Sequence, residues 1–319
     1  MSLWRGVCPG LGLALLLAAH PAWSAHWRFA MDNDIVVASD GDYTNGFFLD
    51  RVAPSDNFSQ LGPAPLLPFA QALNPEINYW HAQLAQQIWT PSSLEADEQS
   101  PIDRPYAGTL TTTLSLGHLT EQIDTRYRLT LGIVGPSSGA EWVQTQSHKW
   151  FGSTAPQGWD EQIEDTAVMQ LGWEQNRRWG EGGEAYRWYG YQHARVLAGN
   201  LMSEAAWGSS LYWGQHRGGT LAGRHWNQAG LAEQKGWGWA LFAGVELRYR
   251  LNDITLQGPR PDSAPDVNLE HWQGSYLLGL EGHYRQMALS FALVNDSRSY
   301  QESAESWNRY GRLAFSWRY

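Results

Sequence analysis

Cysteine is almost missing from this chain. The one cysteine in 319 residues, Cys8, precedes the apolar run Leu11 to Ala19, where a lipoprotein attachment cysteine would not stand. Beyond that run there is no thiol, hence no disulfide and no cysteine ligand for a metal. Long apolar runs are missing as well: Leu11 to Ala19 is too short to cross a bilayer as a helix, and no later stretch approaches that length. Positive charge is scarce, with 22 Lys and Arg against 32 Asp and Glu, a net charge of -10. That balance argues against nucleic acid as a partner. It makes an anionic lipid an awkward partner unless a divalent cation or a local cluster of Arg and Lys intervenes. Neither a G-x-S-x-G stretch nor a pair of histidines at zinc-ligand spacing occurs, so serine and zinc hydrolysis leave no clear trace.

What is present begins with a leader. Arg5, the apolar run and the small residues of Ala22-Trp23-Ser24 fit a secretory signal over residues 1–24, cleaved before Ala25, with one domain over 25–319. The chain is rich in aromatics, with 19 Trp, 14 Tyr and 9 Phe beside 33 Gly, yet its mean hydropathy is -0.45. A transmembrane β-barrel has this profile, because only alternate residues face lipid and Trp and Tyr form girdles at both interfaces. A secreted soluble β-sandwich is the alternative.

The pattern predicts an all-β, antiparallel barrel of twelve strands, over 26–36, 43–53, 82–90, 106–119, 125–134, 166–177, 184–196, 203–216, 237–251, 272–283, 287–296 and 305–319. Leu313, Phe315, Trp317 and Tyr319 alternate onto one face of the last strand, while Trp188 and Tyr189 in the seventh point to opposite sides. An even count puts both termini in the periplasm, with odd strands rising to the cell surface. Segment 54–81 then falls on the periplasmic side as a capping helix or a packed plug.

The stretch FAMDNDIVVASDGDYTNGFFL at 29–49 reads as a hairpin that is apolar along its length and polar at its extracellular tip. Asn33, Asp34 and Thr44 gather at that tip. They are either site residues or ordinary turn residues. Alternation predicts Thr44 pointing into the lumen with Gly46 leaving space beside it. It places Trp27, Phe29 and Met31 toward lipid and sends Asp34 inward and Asn33 outward. Both serve one site only if the strand bulges, or if Asn33 lies beyond the last paired residue.

Residues 140–151, between Gly139 and Gly152, have helical spacing, with Trp142, Val143, Trp150 and Phe151 on one side and Glu141, Gln144 and His148 on the other. The expectation is a short extracellular helix packed over the barrel mouth by its apolar side, aiming His148 at the hairpin tip. An imidazole there is a candidate general base; the plainer reading is an exposed helix histidine with no role. Asp34 and the carbonyl of Gly46 would suit a hard cation such as Ca²⁺, which polarises an ester carbonyl while His148 activates water.

The ordered set DNDIV, DYTNGFFL, DRPYAG at 103–108, LGIVGPSSGAEWVQTQSHKWFG and GWDEQIED resembles the LpxR-type lipid A 3'-O-deacylases of Gram-negative outer membranes. The resemblance implies a twelve-stranded barrel with a site near the extracellular rim. It implies Ca²⁺-dependent removal of the 3'-linked acyloxyacyl group from lipid A of lipopolysaccharide. Asn33 and Asp34 match the family's Asn-Asp pair, Thr44 its hairpin threonine, and Gln144 and His148 its Gln-x-x-x-His. His148 is then the base, with Asp34 at or near the metal. Some members carry basic residues just after the third strand, where this chain has Ser-Ser-Leu-Glu-Ala-Asp-Glu. Arg104 is the nearest basic substitute, unless Asp103-Arg104-Pro105 is a structural turn. A phospholipase-like outer-membrane hydrolase and a passive porin are the competing functions.

Overall fold

A computed structural model describes residues 26–34, 42–54, 68, 71–72, 74–94, 99–151, 156–215 and 236–318. Twelve strands close into one antiparallel barrel: β1 (His26–Asn33), β2 (Asp42–Pro54), β3 (Tyr79–Thr90), β4 (Ala107–Leu119), β5 (Ile123–Val134), β6 (Thr166–Gly182), β7 (Arg187–Gly199), β8 (Met202–Gly214), β9 (Trp237–Asp253), β10 (Trp272–Tyr284), β11 (Met287–Ser297) and β12 (Trp307–Arg318). Each strand pairs with its sequence neighbours, and β1 closes on β12 with Trp27 opposite Trp317. Closure satisfies every strand edge, which a bilayer requires. All twelve strands lie where the alternation predicts them. The largest shift is in β6, which runs to Gly182 instead of the expected 177, and β7 starts three residues later than the expected 184, after Gly183 turns at positive φ.

Alternation explains the wall. Along β9, Leu241, Val245, Leu247 and Tyr249 are exposed on the outside, while Ala240, Phe242, Glu246 and Arg248 are buried inside. The outside is therefore apolar and the inside polar, the inverse of a water-soluble barrel. Trp179, Tyr186, Trp213, Trp237 and Tyr284 ring the end that carries the termini, and Tyr249, Trp272, Tyr276 and Trp307 mark the opposite rim. The turns 120–122 and 285–286 at the first end are short, and 91–106, 135–165 and 254–271 at the second are long. The even strand count puts both termini at one end, which in outer-membrane barrels is the periplasm, so 91–106, 135–165 and 254–271 are extracellular.

Ion pairs cross the interior. Arg195 bridges Glu204 and Glu246, Arg248 reaches Glu246 and Asp296, and Arg312 grips Asp32. Nearer the periplasm, Tyr189, Tyr191, Tyr212 and Phe242 pack together. A cavity of about 250 Å³ remains, lined by Arg104, Arg128, Glu204 and Arg250 among others. The signal-peptide reading and most of segment 54–81, with its proposed cap or plug, lie outside the described residues.

Two helices are extracellular: α1 (Ala140–Phe151), between β5 and β6, and α2 (Ile254–Gln257), between β9 and β10. Asp253 caps α2 by accepting from the Thr255 amide.

Candidate active site

At the extracellular end of the wall, strand register sets out one outward-facing row. Asn33 of β1 opposes Asn45 of β2, Asn45 opposes Ile88 of β3, and Ile88 opposes Gly108 of β4. Helix α1 begins at the far end of this row. A Cβ built on Gly108 would lie 2.1 Å from that of Ala140, so only glycine permits the helix to come this close. Gln86 Nε2 donates to the Ser138 carbonyl at 2.8 Å just ahead of the helix. Ile88, Tyr106, Ala140 and Trp159 form the apolar contact beneath it.

The helix therefore lies against the outside of the wall rather than over the mouth, and its faces are the reverse of those expected. Ala140 and Gln144 are buried, His148 is half-buried, and all three share one stripe at i, i+4 and i+8. Val143 is partly buried, but Trp142 and Trp150 are exposed. The polar stripe meets the wall and the indoles point away from it.

A bulge places Thr44. The β2–β3 register slips between Tyr43 and Asn45, leaving Thr44 as the extra residue. Tyr43 consequently turns inward, donating to Asp32 Oδ2 at 2.8 Å and filling the space above Gly46 together with the Phe48 ring. Thr44 instead lies 2.7 Å, oxygen to oxygen, from Thr90 of β3, which has the same outward parity as Ile88. The expected lumen-facing Thr44 beside an open Gly46 is corrected on both counts. Uninterrupted alternation cannot anticipate a bulge on the neighbouring strand pair. Asn33 is the last paired residue of β1 and outward, as alternation predicts, and buried Asp34 follows it, donating its amide to the Thr44 carbonyl at 3.2 Å.

Among the groups with unmet polarity in this region are Gln144 on α1 and Asn45 on β2. The Trp159 indole donates to Gln144 Oε1 at 2.9 Å, which fixes the amide so that buried Gln144 Nε2 has no hydrogen-bond partner among the described residues. Asn45 Oδ1 is likewise buried without one. A buried donor or acceptor without a partner calls for one, such as a water, an ion or a ligand. No three His, Cys, Asp or Glu side chains converge as a metal cluster among the described residues. A cation at the tip would depend on one carboxylate, Asp34, with amide and main-chain oxygens such as Asn45 Oδ1 and the Gly46 carbonyl. That donor set fits Ca²⁺ and not a soft metal.

Arg104 is removed from the candidate head-group contacts. It is 1% exposed, pairs with Asp42, donates to Thr255 Oγ1 at 3.1 Å and lies 5.7 Å from the Trp89 ring. Asp103 accepts from Tyr300 Oη at 2.8 Å and from Ser92. DRPYAG thus ties the extracellular loops together through Asp103 and Arg104, and its Gly108 seats α1. Burial pushes the Tyr300 and Tyr106 hydroxyls well up, with Asp103 adding to it, so both stay protonated.

Within the wall, Ser115, His81 and Asp50 form a chain of contacts at 3.3 and 2.9 Å. All three are buried, and His81 also shares Asp50 with Gln83 and Arg28. With no access for a substrate, this is lumen packing.

A barrel with two aromatic girdles, a filled lumen and a polar patch on its outer wall defines an outer-membrane protein whose candidate site faces the leaflet and not the pore. The description "Outer membrane protein LpxR" belongs to the family model that matches residues 10–319, and the chain belongs to that family. The structure is similar to LpxR from Salmonella typhimurium, with a TM-score of 0.76 at 19% identity over 92% of this chain and 99% of that one. Weaker likenesses include the COG4313 outer membrane channel from Pseudomonas putida F1, TM-score 0.43 at 11% identity over 94% and 97% of the chains. The β domain of the Bordetella autotransporter Brka has TM-score 0.44 at 8% identity over 93% and 99%. Among curated proteins, none matches the chain.

Proposed function

We propose that this protein is a Ca²⁺-dependent esterase that hydrolyses the 3'-linked acyloxyacyl ester of lipid A in the outer leaflet, with His148 as the general base. The observation that carries the reading is the Gln144–His148 stripe docked on the outward face of the wall, with Gln144 Nε2 buried and unpartnered. The row from Gly108 to Asn33 crosses four strands, roughly 14 Å at normal strand spacing. Eight residues of helix from Ala140 to His148 rise about 12 Å. Laid along the row from Gly108, a helix of this length would carry His148 toward Asn33, Asp34 and Thr44.

Asp34, with the Asn45 amide and the Gly46 carbonyl, would hold the ion. Bound there, Ca²⁺ supplies positive charge that polarises the ester carbonyl and relieves repulsion between an acidic protein and a phosphorylated lipid. The chain's own residues do the rest. His148 takes a proton from water, and the water oxygen attacks the ester carbonyl carbon. Gln144 Nε2 donates to the developing oxyanion, held in place by Trp159. As the carbon–oxygen bond to the sugar breaks, the His148 imidazolium returns its proton to the 3'-oxygen. A free sugar hydroxyl and an acyloxyacyl carboxylic acid result. Thr44 and Asn33 position these groups.

Lipid A from cells with and without the protein, compared by mass spectrometry, tests the reading. The expected change is loss of one acyloxyacyl mass from the 3' position. Intact lipid A alongside phospholipid cleavage would move the protein to the phospholipase class.

A further inference from the structure

Helix α1 touches β3 and β4 along one stripe and turns two tryptophans away from them. Trp142 is 68% exposed and Trp150 is 82% exposed. They are eight residues apart, about 80° around the helix at 3.6 residues per turn, so they share a side. Two bare indoles on one face of a twelve-residue helix are not a surface that water accommodates well.

The rim beside them supplies the reason. The extracellular aromatic girdle is carried by Tyr249, Trp272, Tyr276 and Trp307 on β9, β10 and β12. Across β1 to β5 the outward residues near the same rim are Met31 and Asn33, Asn45 and Phe47, Gln86 and Ile88, Gly108 and Leu110, and Leu131 and Ile133. Among the described residues, Tyr106 and Trp159 of this sector are buried beneath α1 and do not face the leaflet. Helix α1 packs against this sector, at the level of Gln86, Ile88 and Gly108, just above outward Leu84 and Leu110. The lipid-facing belt therefore continues directly into the Trp142–Trp150 face.

We propose that Trp142 and Trp150 insert into the headgroup–acyl boundary of the outer leaflet, completing the aromatic girdle over β1 to β5 and anchoring α1 to the lipid surface. The partner is the bilayer itself. Indoles partition to that boundary because one edge is apolar and the N–H is polar. Exposed Glu141 and Lys149 beside them keep the helix from sinking further. The wall holds α1 from inside through Gly108 and Ala140, and the leaflet holds it from outside.

Residues 25–319 contain no cysteine, so single nitroxide labels report cleanly. Trp142→Cys and Trp150→Cys, each labelled in a Cys8→Ala background of the full chain and reconstituted in phosphatidylethanolamine–phosphatidylglycerol vesicles, are compared with Leu247→Cys in the lipid belt and Asp262→Cys in an exposed loop. Both labels should collide more often with oxygen than with a water-soluble nickel chelate, at values between the two references. Nickel access equal to that of Asp262→Cys at either position overturns the proposal. A label at Lys149→Cys keeps both indoles, and adding Trp142→Ala with Trp150→Ala should raise its nickel access several-fold. No change there, in a barrel that still migrates as folded on unheated gels, overturns the anchoring role.

Discussion

Arg312 holds Asp32 through two hydrogen bonds of 2.6 and 2.7 Å inside the barrel, one residue before outward-facing Asn33. The DND run is thus split across the wall. Its first carboxylate fixes β1 to β12 from within, and the next residue, Asn33, is presented outside.

Asp32→Ala should therefore act on the fold and not only on the site. It leaves a buried guanidinium without its bidentate partner, a loss of about 3–5 kcal/mol for a broken buried pair. The temperature at which the folded gel band disappears should fall well below that of the parent protein. An unchanged temperature would mean that Tyr310 and neighbouring groups suffice for Arg312.

His148→Ala should leave a barrel that still runs as folded and lower lipid A hydrolysis by about two to four orders of magnitude, the range for removing a general base. Near-normal turnover in detergent with excess Ca²⁺ would assign the chemistry elsewhere at the hairpin tip.

Chelation by EDTA should abolish hydrolysis and added Ca²⁺ should restore it. Asp34→Ala and Asn45→Ala should raise the Ca²⁺ concentration needed for half activity, the carboxylate by more than the amide. Full activity after exhaustive chelation would count against the cation.

Gly108→Val should separate the helix from the wall. Its side chain would meet Ala140 and Ser138, and displacing catalytic groups by about 1 Å can cost on the order of a hundredfold. Folding should be retained, because the strand itself accepts valine readily. Wild-type activity would mean that α1 is seated by other contacts.

Trp159→Phe keeps a ring against Tyr106, whose centroid lies 4.8 Å away, but removes the bond to Gln144. Turnover should drop by the worth of one such bond, about 0.5–1.5 kcal/mol or roughly two- to tenfold. In a Gln144→Ala background the same change should do nothing further.

The barrel was legible in the sequence because a lipid-facing wall imposes period-two alternation on every strand, as in Leu241, Val245 and Leu247 of β9. The outward direction of Asn33 followed from the same parity. What parity cannot carry is a change of parity: the extra residue at Thr44 turned Tyr43 inward and Thr44 toward Thr90. Helical spacing separates the two faces of α1 but does not say which of them meets the wall, and Trp142 and Trp150 are the exposed ones. Asn45, Gly108 and Trp159 sat within the motifs DYTNGFFL, DRPYAG and GWDEQIED without a role. An asparagine aligned with Asn33 and a glycine preceding the helix were the available signals. Arg104 looked like a cation free to meet phosphate only because Asp42, sixty-two residues away, is its partner in space.

The proposed reaction takes place on the outer wall and makes no use of the ion-paired interior. Whatever reaches the patch on the outer wall arrives by sliding within one leaflet, and whatever leaves departs the same way. The quantity that sets its encounter rate is then molecules per unit area of membrane rather than per litre. Diluting the membrane with inert lipid should slow the reaction, and diluting the suspension with buffer should leave it unchanged.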